Sequence, residues 1–570
     1  MNRRFLGRVR IVTVACICVA LVIIGRLYVL QVMNGHIYAM KADAQFVAPP
    51  SPLLDRGTIY FSDKNNAPIT AATIKDGFSL AVNPSKVTDV EALYAALQGI
   101  IPQTHDAFVA KATKQGSQYQ LLAGHLDSSV GAALEAKHLP GLIVSEDRWR
   151  YYPGGSLAAQ ELGFVAYNNS DEQQGRYGLE RQYNDTLERS DSDLYANFFV
   201  ELFGGVQSLL QGAQQQGDVV TTIEPSVQAE LERQLVAYDA QWHPELAGGI
   251  IMNPQNGEIY AMAVSPTFDL NSFNTQTDPL IYANPMVQNA YEMGSIIKPL
   301  TMAAGIDSGA VTEQTTYNDL GCLMVDTKKI CNFDFKARGV IPMQQILSQS
   351  LNVGASFVAT QMGSTTMRHY FLDEYQLGSK TGIDMPGEIH GIVDNLQSPR
   401  QVEYDTASFG QGIAITPVET VRALAVLANG GYLVMPHLVR SINYTTGVSS
   451  APQVWPKVQV LKPETATTVS RMLTEVVDTS LAHGADKLDH YSVAAKTGTA
   501  QIANPAGGGY YSDKWLHSFV GYVPSYDAKF IIFLFALKPV GAPYASTTLA
   551  PPWHALTQFL INYYDVPPDR

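Results

Sequence analysis

Hydrophobic residues run almost unbroken from Ile11 to Met33, long enough for a helix to cross a bilayer. Arg26 interrupts the run and is expected near the outer interface, where its side chain can snorkel into the headgroups. Arg3, Arg4, Arg8 and Arg10 precede it and favour a cytoplasmic N-terminus. The pattern predicts a cytoplasmic tail over 1–10, a transmembrane anchor over 11–33, and an extracytoplasmic remainder. Ala42-Asp43-Ala44 has the look of a cleavage site but lies too far from the apolar run, so an uncleaved anchor is expected. Phe530 to Leu537 is apolar but too short to span, and reads as a buried strand. A single-pass protein follows.

From 34 to 215 the pattern is mixed. Short β-rich runs such as Gly57–Phe61 and Phe78–Val82 alternate with helical stretches such as Val90–Leu97 and Ser129–Lys137. The Gln-rich stretch Gln207–Gln216 loses apolar periodicity and predicts a domain boundary, separating 34–215 from 216–570. Asp218–Ile223 then reads as a strand and Glu224–Tyr238 as a helix, with Thr222 or Ser226 as its cap. Gly248–Met252 and Glu258–Ala263 flank Asn256-Gly257, a hairpin signal. The middle, about Ser295 to Gly430, is richer in helix. Val493–Thr499, Ser518–Val523 and Phe530–Leu537 return to strand, and a helix near His554–Tyr564 closes the chain. A sheet built from both ends of this region with helices inserted between them is an α+β arrangement.

Composition narrows the function. Apolar residues are 46% of the 570, enough for proper cores, and the formal net charge of -14 argues against nucleic-acid binding, which needs a basic face. Cys16 and Cys18 lie in the apolar run and act as small hydrophobes. Cys322 and Cys331 flank a polar stretch; outside the cell they could close a hairpin disulfide, the alternative being two unrelated thiols. No cysteine–histidine spacing suggests a metal site, and no cofactor motif is seen.

Three short motifs carry chemistry. In Ser295-Ile296-Ile297-Lys298, helical spacing puts the Lys298 amine within reach of the Ser295 hydroxyl. A serine alone is a weak nucleophile; an amine kept neutral by burial or by a neighbouring cation can serve as its base. In Ser350-Leu351-Asn352, a hydroxyl and an amide two apart on a loop can face one cleft, one passing a proton, the other holding a substrate carbonyl. Lys496-Thr497-Gly498-Thr499 follows the apolar strand Ser492–Ala495 and would offer a strand edge to an extended peptide. There Lys496 and Thr499 would hold a carboxylate, Gly498 would let the substrate approach, and the N–H groups of Ser295 and Thr499 would form an oxyanion hole. Lys380-Thr381-Gly382 repeats the tripeptide, but no strand leads into it and no second hydroxyl follows, so it reads as structural.

Each motif is weak alone; their order is not. Serine–lysine, Ser-x-Asn and Lys-Thr-Gly are the set of penicillin-binding proteins and class A β-lactamases. The chain resembles the class B penicillin-binding proteins, the monofunctional peptidoglycan D,D-transpeptidases, over essentially its whole length. Asp55-Arg56-Gly57-Thr58, Arg150-Tyr151-Tyr152-Pro153, Leu162-Gly163-Phe164-Val165 and Gly178-Leu179-Glu180 resemble that family's pedestal motifs. Asn253-Pro254, Phe409-Gly410-Gln411-Gly412 with Thr416-Pro417, and Ser518-Phe519-Val520-Gly521-Tyr522 resemble its transpeptidase motifs. Met293 departs from the family, which usually has proline there.

The resemblance implies an elongated mixed α/β pedestal over 34–215 and a serine β-lactamase-like transpeptidase domain over 216–570, its central antiparallel sheet flanked by helices. It implies Ser295 as acylated nucleophile, Lys298 as base, Ser350, Asn352 and Lys496 in proton transfer and positioning, and Thr497, Gly498 and Thr499 along the substrate strand. Arg56, Arg150 and Glu180 would be fold-holding ion pairs. The implied partners are D-Ala-D-Ala stem peptides, an amine acceptor, β-lactams and a membrane glycosyltransferase or division-complex protein. Ser350-Leu351-Asn352-Val353-Gly354 looks more like the septal branch than the elongation branch, where Asp often replaces the Asn. The alternatives are a D,D-carboxypeptidase or β-lactamase-type hydrolase, and a non-catalytic β-lactam sensor or division scaffold.

Overall fold

The computed structural model describes residues 55–570 apart from 102, 169–172, 190–215, 452–453, 485 and 505–507. The expected anchor over 11–33, the Ala42–Ala44 site and most of the Gln-rich boundary lie outside the described residues. Among the described residues no helix is long and apolar enough to cross a membrane.

The described residues open with β1 (Ile59–Ser62) and β2 (Pro68–Val82), and the chain divides into two compact units. One contains Ile74–Arg150. In it the second half of β2 pairs with β3 (Gln120–Asp127), while α1 (Val90–Leu97) and α2 (Ser128–Glu135) supply helical faces. Asp89 caps α1 by accepting the Ala92 N–H, which fixes where that helix begins. Leu80, Val82, Leu93, Leu97, Phe108, Leu122 and Leu134 form the core of this unit.

The other unit contains Arg56–Thr73 and Tyr151–Arg570, segments far apart in the sequence. The reason lies in long-range pairing. β1 runs parallel to β4 (Gly217–Thr221), with Ile59 opposite Val219. The Arg56 guanidinium donates to the Glu180 carboxylate at 2.6 Å, to the Glu180 carbonyl at 2.7 Å and to the Asn184 side chain at 3.0 Å. Their side chains are 1% and 0% exposed, so this is a fold-holding pair. Removing one partner strands a buried charge: Arg56→Ala is expected to cost about 3–5 kcal/mol of stability, read by urea denaturation.

Between β4 and the catalytic region, Pro225 starts α3 (Pro225–Trp242) and Glu224 caps it by accepting the Val227 N–H. Neither expected cap serves. Thr222 instead donates to the Ile259 carbonyl at 2.6 Å, and Ser226 is exposed. The hairpin signalled by Asn256-Gly257 joins β5 (Leu246–Met252) to β6 (Ile259–Ser265).

From the other end of the chain come β7 (Ala494–Ala503), β8 (Tyr510–Val523) and β9 (Phe530–Leu537). The five strands form one antiparallel sheet in the order β7-β8-β9-β5-β6, which leaves β7 at an edge. Val227, Leu231 and Leu235 of α3 pack one face together with α4 (Ala550–Tyr563). There Trp553 stacks on Phe519 at 4.9 Å between ring centroids and donates its indole N–H to the Ile532 carbonyl. The opposite face, with Ile250, Phe533 and Phe535, meets the helices inserted between the two halves of the sheet, including the one that carries Leu300. Strands alternate sides with period two, so both faces must be apolar, and Phe530–Leu537 is buried almost throughout.

Cys322 and Cys331 face each other across a small antiparallel hairpin and are joined by a disulfide, their Cα atoms 4.1 Å apart.

Candidate active site

Ser295 lies in a 3-10 turn, Gly294–Ile297, that runs into a buried helix, Lys298–Asp307. The sequence placed Ser295 and Lys298 on one α-helical face. The tighter turn does better, because side chains three apart eclipse in a 3-10 helix. The Lys298 amine stands 2.9 Å from the Ser295 hydroxyl oxygen. Entry to the turn depends on a backbone approach: the Gly294 N–H donates to the Gly410 carbonyl at 3.1 Å. Gly410 has φ +78, and a Cβ there would come within 2.2 Å of the Gly294 carbonyl oxygen, so no larger residue fits.

Ser350 sits in the turn before a helix that starts at Asn352, with a left-handed φ of +54. Its hydroxyl is 3.1 Å from the Lys298 amine and 3.1 Å from the Lys496 amine, while its carbonyl accepts from Lys298 at 2.6 Å. Two amines thus meet on one hydroxyl. Both are almost fully buried, at 1% and 3% exposure. Burial, and then the nearby Lys496 charge, hold the Lys298 amine well below its ordinary range; burial alone brings Lys496 down to about 7.

Asn352 is the first residue of its helix rather than part of a loop, and its side-chain N–H donates to the Cys331 carbonyl at 3.0 Å. Thr497 and Thr499 are partly exposed along edge strand β7, and the Thr499 hydroxyl accepts the Ala545 N–H at 3.1 Å. Gly498 also has a packing role. A Cβ there would meet the Ser518 hydroxyl at 2.4 Å and the Met293 carbonyl at 2.8 Å. It is needed so that the strand can press against the nucleophile turn. The same packing sets the Thr499 and Ala500 backbone against Gly294, within 3.4 Å of where a Cβ there would stand.

All the expected site residues therefore gather at the junction of edge strand, nucleophile turn and Ser350 turn. The repeat at Lys380–Gly382 does not join them. There Thr381 bonds Glu388 through its N–H and its hydroxyl, and the Lys380 carbonyl accepts from the buried Arg422. Sequence reasoning missed Glu292, three residues before the nucleophile. Its carboxylate accepts from the Gly412 N–H at 3.1 Å and the Tyr510 hydroxyl at 3.2 Å, and burial raises its pKa. Its adjacency to Met293-Gly294-Ser295 was the only available signal.

This geometry has relatives. The penicillin binding protein transpeptidase domain matches residues 247–551, and the penicillin-binding protein dimerisation domain matches residues 54–194. Stage V sporulation protein D of Bacillus subtilis is 28% identical over 508 residues, 87% of this chain and 76% of that protein. A probable peptidoglycan D,D-transpeptidase of Pseudomonas aeruginosa is 26% identical, covering 100% of this chain and 96% of its own length. Penicillin binding protein 3 of Mycobacterium tuberculosis, solved with aztreonam, superposes with a TM-score of 0.68 at 22% identity, over 91% of this chain and 98% of that one; this likeness speaks to the fold. With a transpeptidase match over more than half its length and a dimerisation domain before it, the chain belongs to the class B penicillin-binding proteins.

Proposed function

We propose that the protein is a peptidoglycan D,D-transpeptidase working through a Ser295 acyl-enzyme. The observation that carries this is the Ser295 hydroxyl 2.9 Å from a buried Lys298 amine, with the Ser350 hydroxyl between that amine and Lys496, beside an open strand edge. Neutral Lys298 takes the Ser295 proton as the oxygen attacks the carbonyl of the D-Ala–D-Ala bond. The Ser295 and Thr499 N–H groups receive the developing oxyanion. Ser350 relays the proton to the leaving nitrogen, D-alanine departs, and an acyl ester remains on Ser295. An amine of a second stem then attacks the ester, gives its proton back through the same relay, and restores the serine. Lys496 as a cation, with Thr497 and Thr499, holds the terminal carboxylate. A β-lactam enters the first half of this cycle and stops there.

The pH dependence follows from the two amines. Lys298 acts only when neutral, so acylation rises as the pH passes its lowered pKa. Lys496 binds carboxylate only when protonated, so the rate falls as the pH rises through about 7. A bell-shaped profile is expected for the second-order acylation rate with a penicillin. A rate still climbing in strongly alkaline buffer would remove the Lys496 cation from substrate binding.

Location and partners extend this reading from the sequence: an anchor over 11–33, a cytoplasmic tail, a catalytic region outside the membrane, and the domain boundary near 215. Asn352 in the second motif supports a septal role, and glycan polymerisation would fall to a membrane glycosyltransferase partner. Product analysis with a donor pentapeptide and an acceptor amine tests the assignment. Cross-linked product supports it, whereas hydrolysed tetrapeptide alone would make the enzyme a carboxypeptidase.

A further inference from the structure

Ser350 holds a backbone conformation that a residue with a Cβ adopts only when its surroundings over-determine it, at about 1–3 kcal/mol of strain. Besides the two lysines on Ser350 itself, one segment, residues 319–338, grips the turn on both sides. Before Ser350, the Arg338 Nε–H donates to the Gln349 side-chain oxygen at 2.7 Å. After it, the Asn352 side chain donates to the Cys331 carbonyl, and the Val353 N–H donates to the Asn332 Oδ1 at 3.1 Å.

The last of these bonds is the informative one. A helix beginning at Asn352 leaves its first N–H groups without intrahelical partners, and its own capping position, Leu351, makes no side-chain cap. Asn332 provides the cap from another part of the chain. Its orientation is fixed from behind: the Asn332 Nδ2 donates to both oxygens of Asp319, at 2.9 and 3.0 Å. Asp319 is fully buried, also accepts the Gly321 N–H, and has Arg338 at 3.8 Å. Asn332 itself is 1% exposed. A side chain needing an acceptor oxygen on one side and an N–H donor on the other, at this length, is an asparagine.

We propose that Asn332 is a positioning residue for acyl transfer: it fixes the start of the helix after Ser350, and so keeps the Ser350 hydroxyl between Lys298 and Lys496. The proposal rests on the transpeptidase reading above. Without the Asn332 amide, the Val353 N–H and the Asp319 carboxylate lose their shared partner, and the Ser350 turn relaxes out of its left-handed conformation. Displacing a relay group by about 1 Å is worth about 100-fold in rate.

The test is the second-order acylation rate by a fluorescent penicillin, measured against pH on the full chain in detergent, with thermal melts alongside. The proteins are wild type, Asn332→Ala, Asn332→Asp, Ser350→Ala, and Ser350→Ala with Asn332→Ala. Asn332→Ala is expected to fall about 100-fold. Adding it to Ser350→Ala is expected to change the rate less than about threefold, because both act through one hydroxyl. Asn332→Asp keeps the size and the acceptor but sets two carboxylates against each other, so its rate relative to wild type should recover as the pH falls and a proton is shared. That recovery is the readout if Asn332→Ala does not fold. An Asn332→Ala rate within about threefold of wild type, a loss that multiplies fully with Ser350→Ala, or an Asn332→Asp profile parallel to wild type would each overturn the positioning role. An unlabelled wild type would instead remove the transpeptidase reading itself.

Discussion

Ser295→Ala is expected to abolish covalent labelling by a fluorescent penicillin, with a loss of at least about 10⁴-fold in acylation rate. No other hydroxyl can stand in. Ser350 touches both lysines, but it lies in a strained turn and lacks the helix entry that aims Ser295. The variant should fold normally, since Ser295 is only partly buried and alanine suits the turn. A folded Ser295→Ala protein that still carries stable label would sink the nucleophile assignment, and mass mapping of the modified peptide would show which residue replaces it.

Lys298→Ala is expected to be nearly as severe, a loss of about 10²–10⁴-fold, because a serine hydroxyl without a base is almost wholly protonated at neutral pH. Its signature differs from that of Ser295→Ala. The nucleophile remains, so slow labelling should persist and climb with pH as hydroxide takes over the proton. Lys298→Arg should not rescue, since a guanidinium stays charged throughout the working range. An active Lys298→Ala protein with an unchanged pH profile would move the role of base to Lys496, the other amine on Ser350 among the described residues.

Local pattern made much of this architecture legible. Phe530–Leu537 and Val90–Leu97 form the expected strand and helix to the residue, because a long apolar run and a clean amphipathic face leave little choice. The three motifs also converge as their order suggested. What could not be read was anything set by residues distant in sequence. Thr222 looked like a helix cap, but a carbonyl at 259 claims its hydroxyl, and Glu224 takes the role. Gly498 looked like room for substrate, and the steric demand from Met293 and Ser518 was not visible. The pull of Tyr151 onward and Arg56–Thr73 into the catalytic unit needed the pairing of Ile59 with Val219, which no local window contains.

The two sequestered amines also bear on how long the enzyme survives. An unfolded chain would hold Lys496 as an ordinary solvated cation, so folding must either expel a proton or bury a charge. Lowering its pKa from 10.5 to about 7 corresponds to roughly 4–5 kcal/mol of destabilisation. The sign is definite: the unfolded state binds more protons between those two values. The penalty is therefore complete below about 7 and is relieved as the pH rises towards 10.5. Lys496→Met should melt higher than wild type near neutrality, with the difference shrinking in alkaline buffer. A dead enzyme that outlasts the living one would mark the catalytic cleft as the weak point of the fold, tolerated because the substrate carboxylate needs a buried cation to meet it.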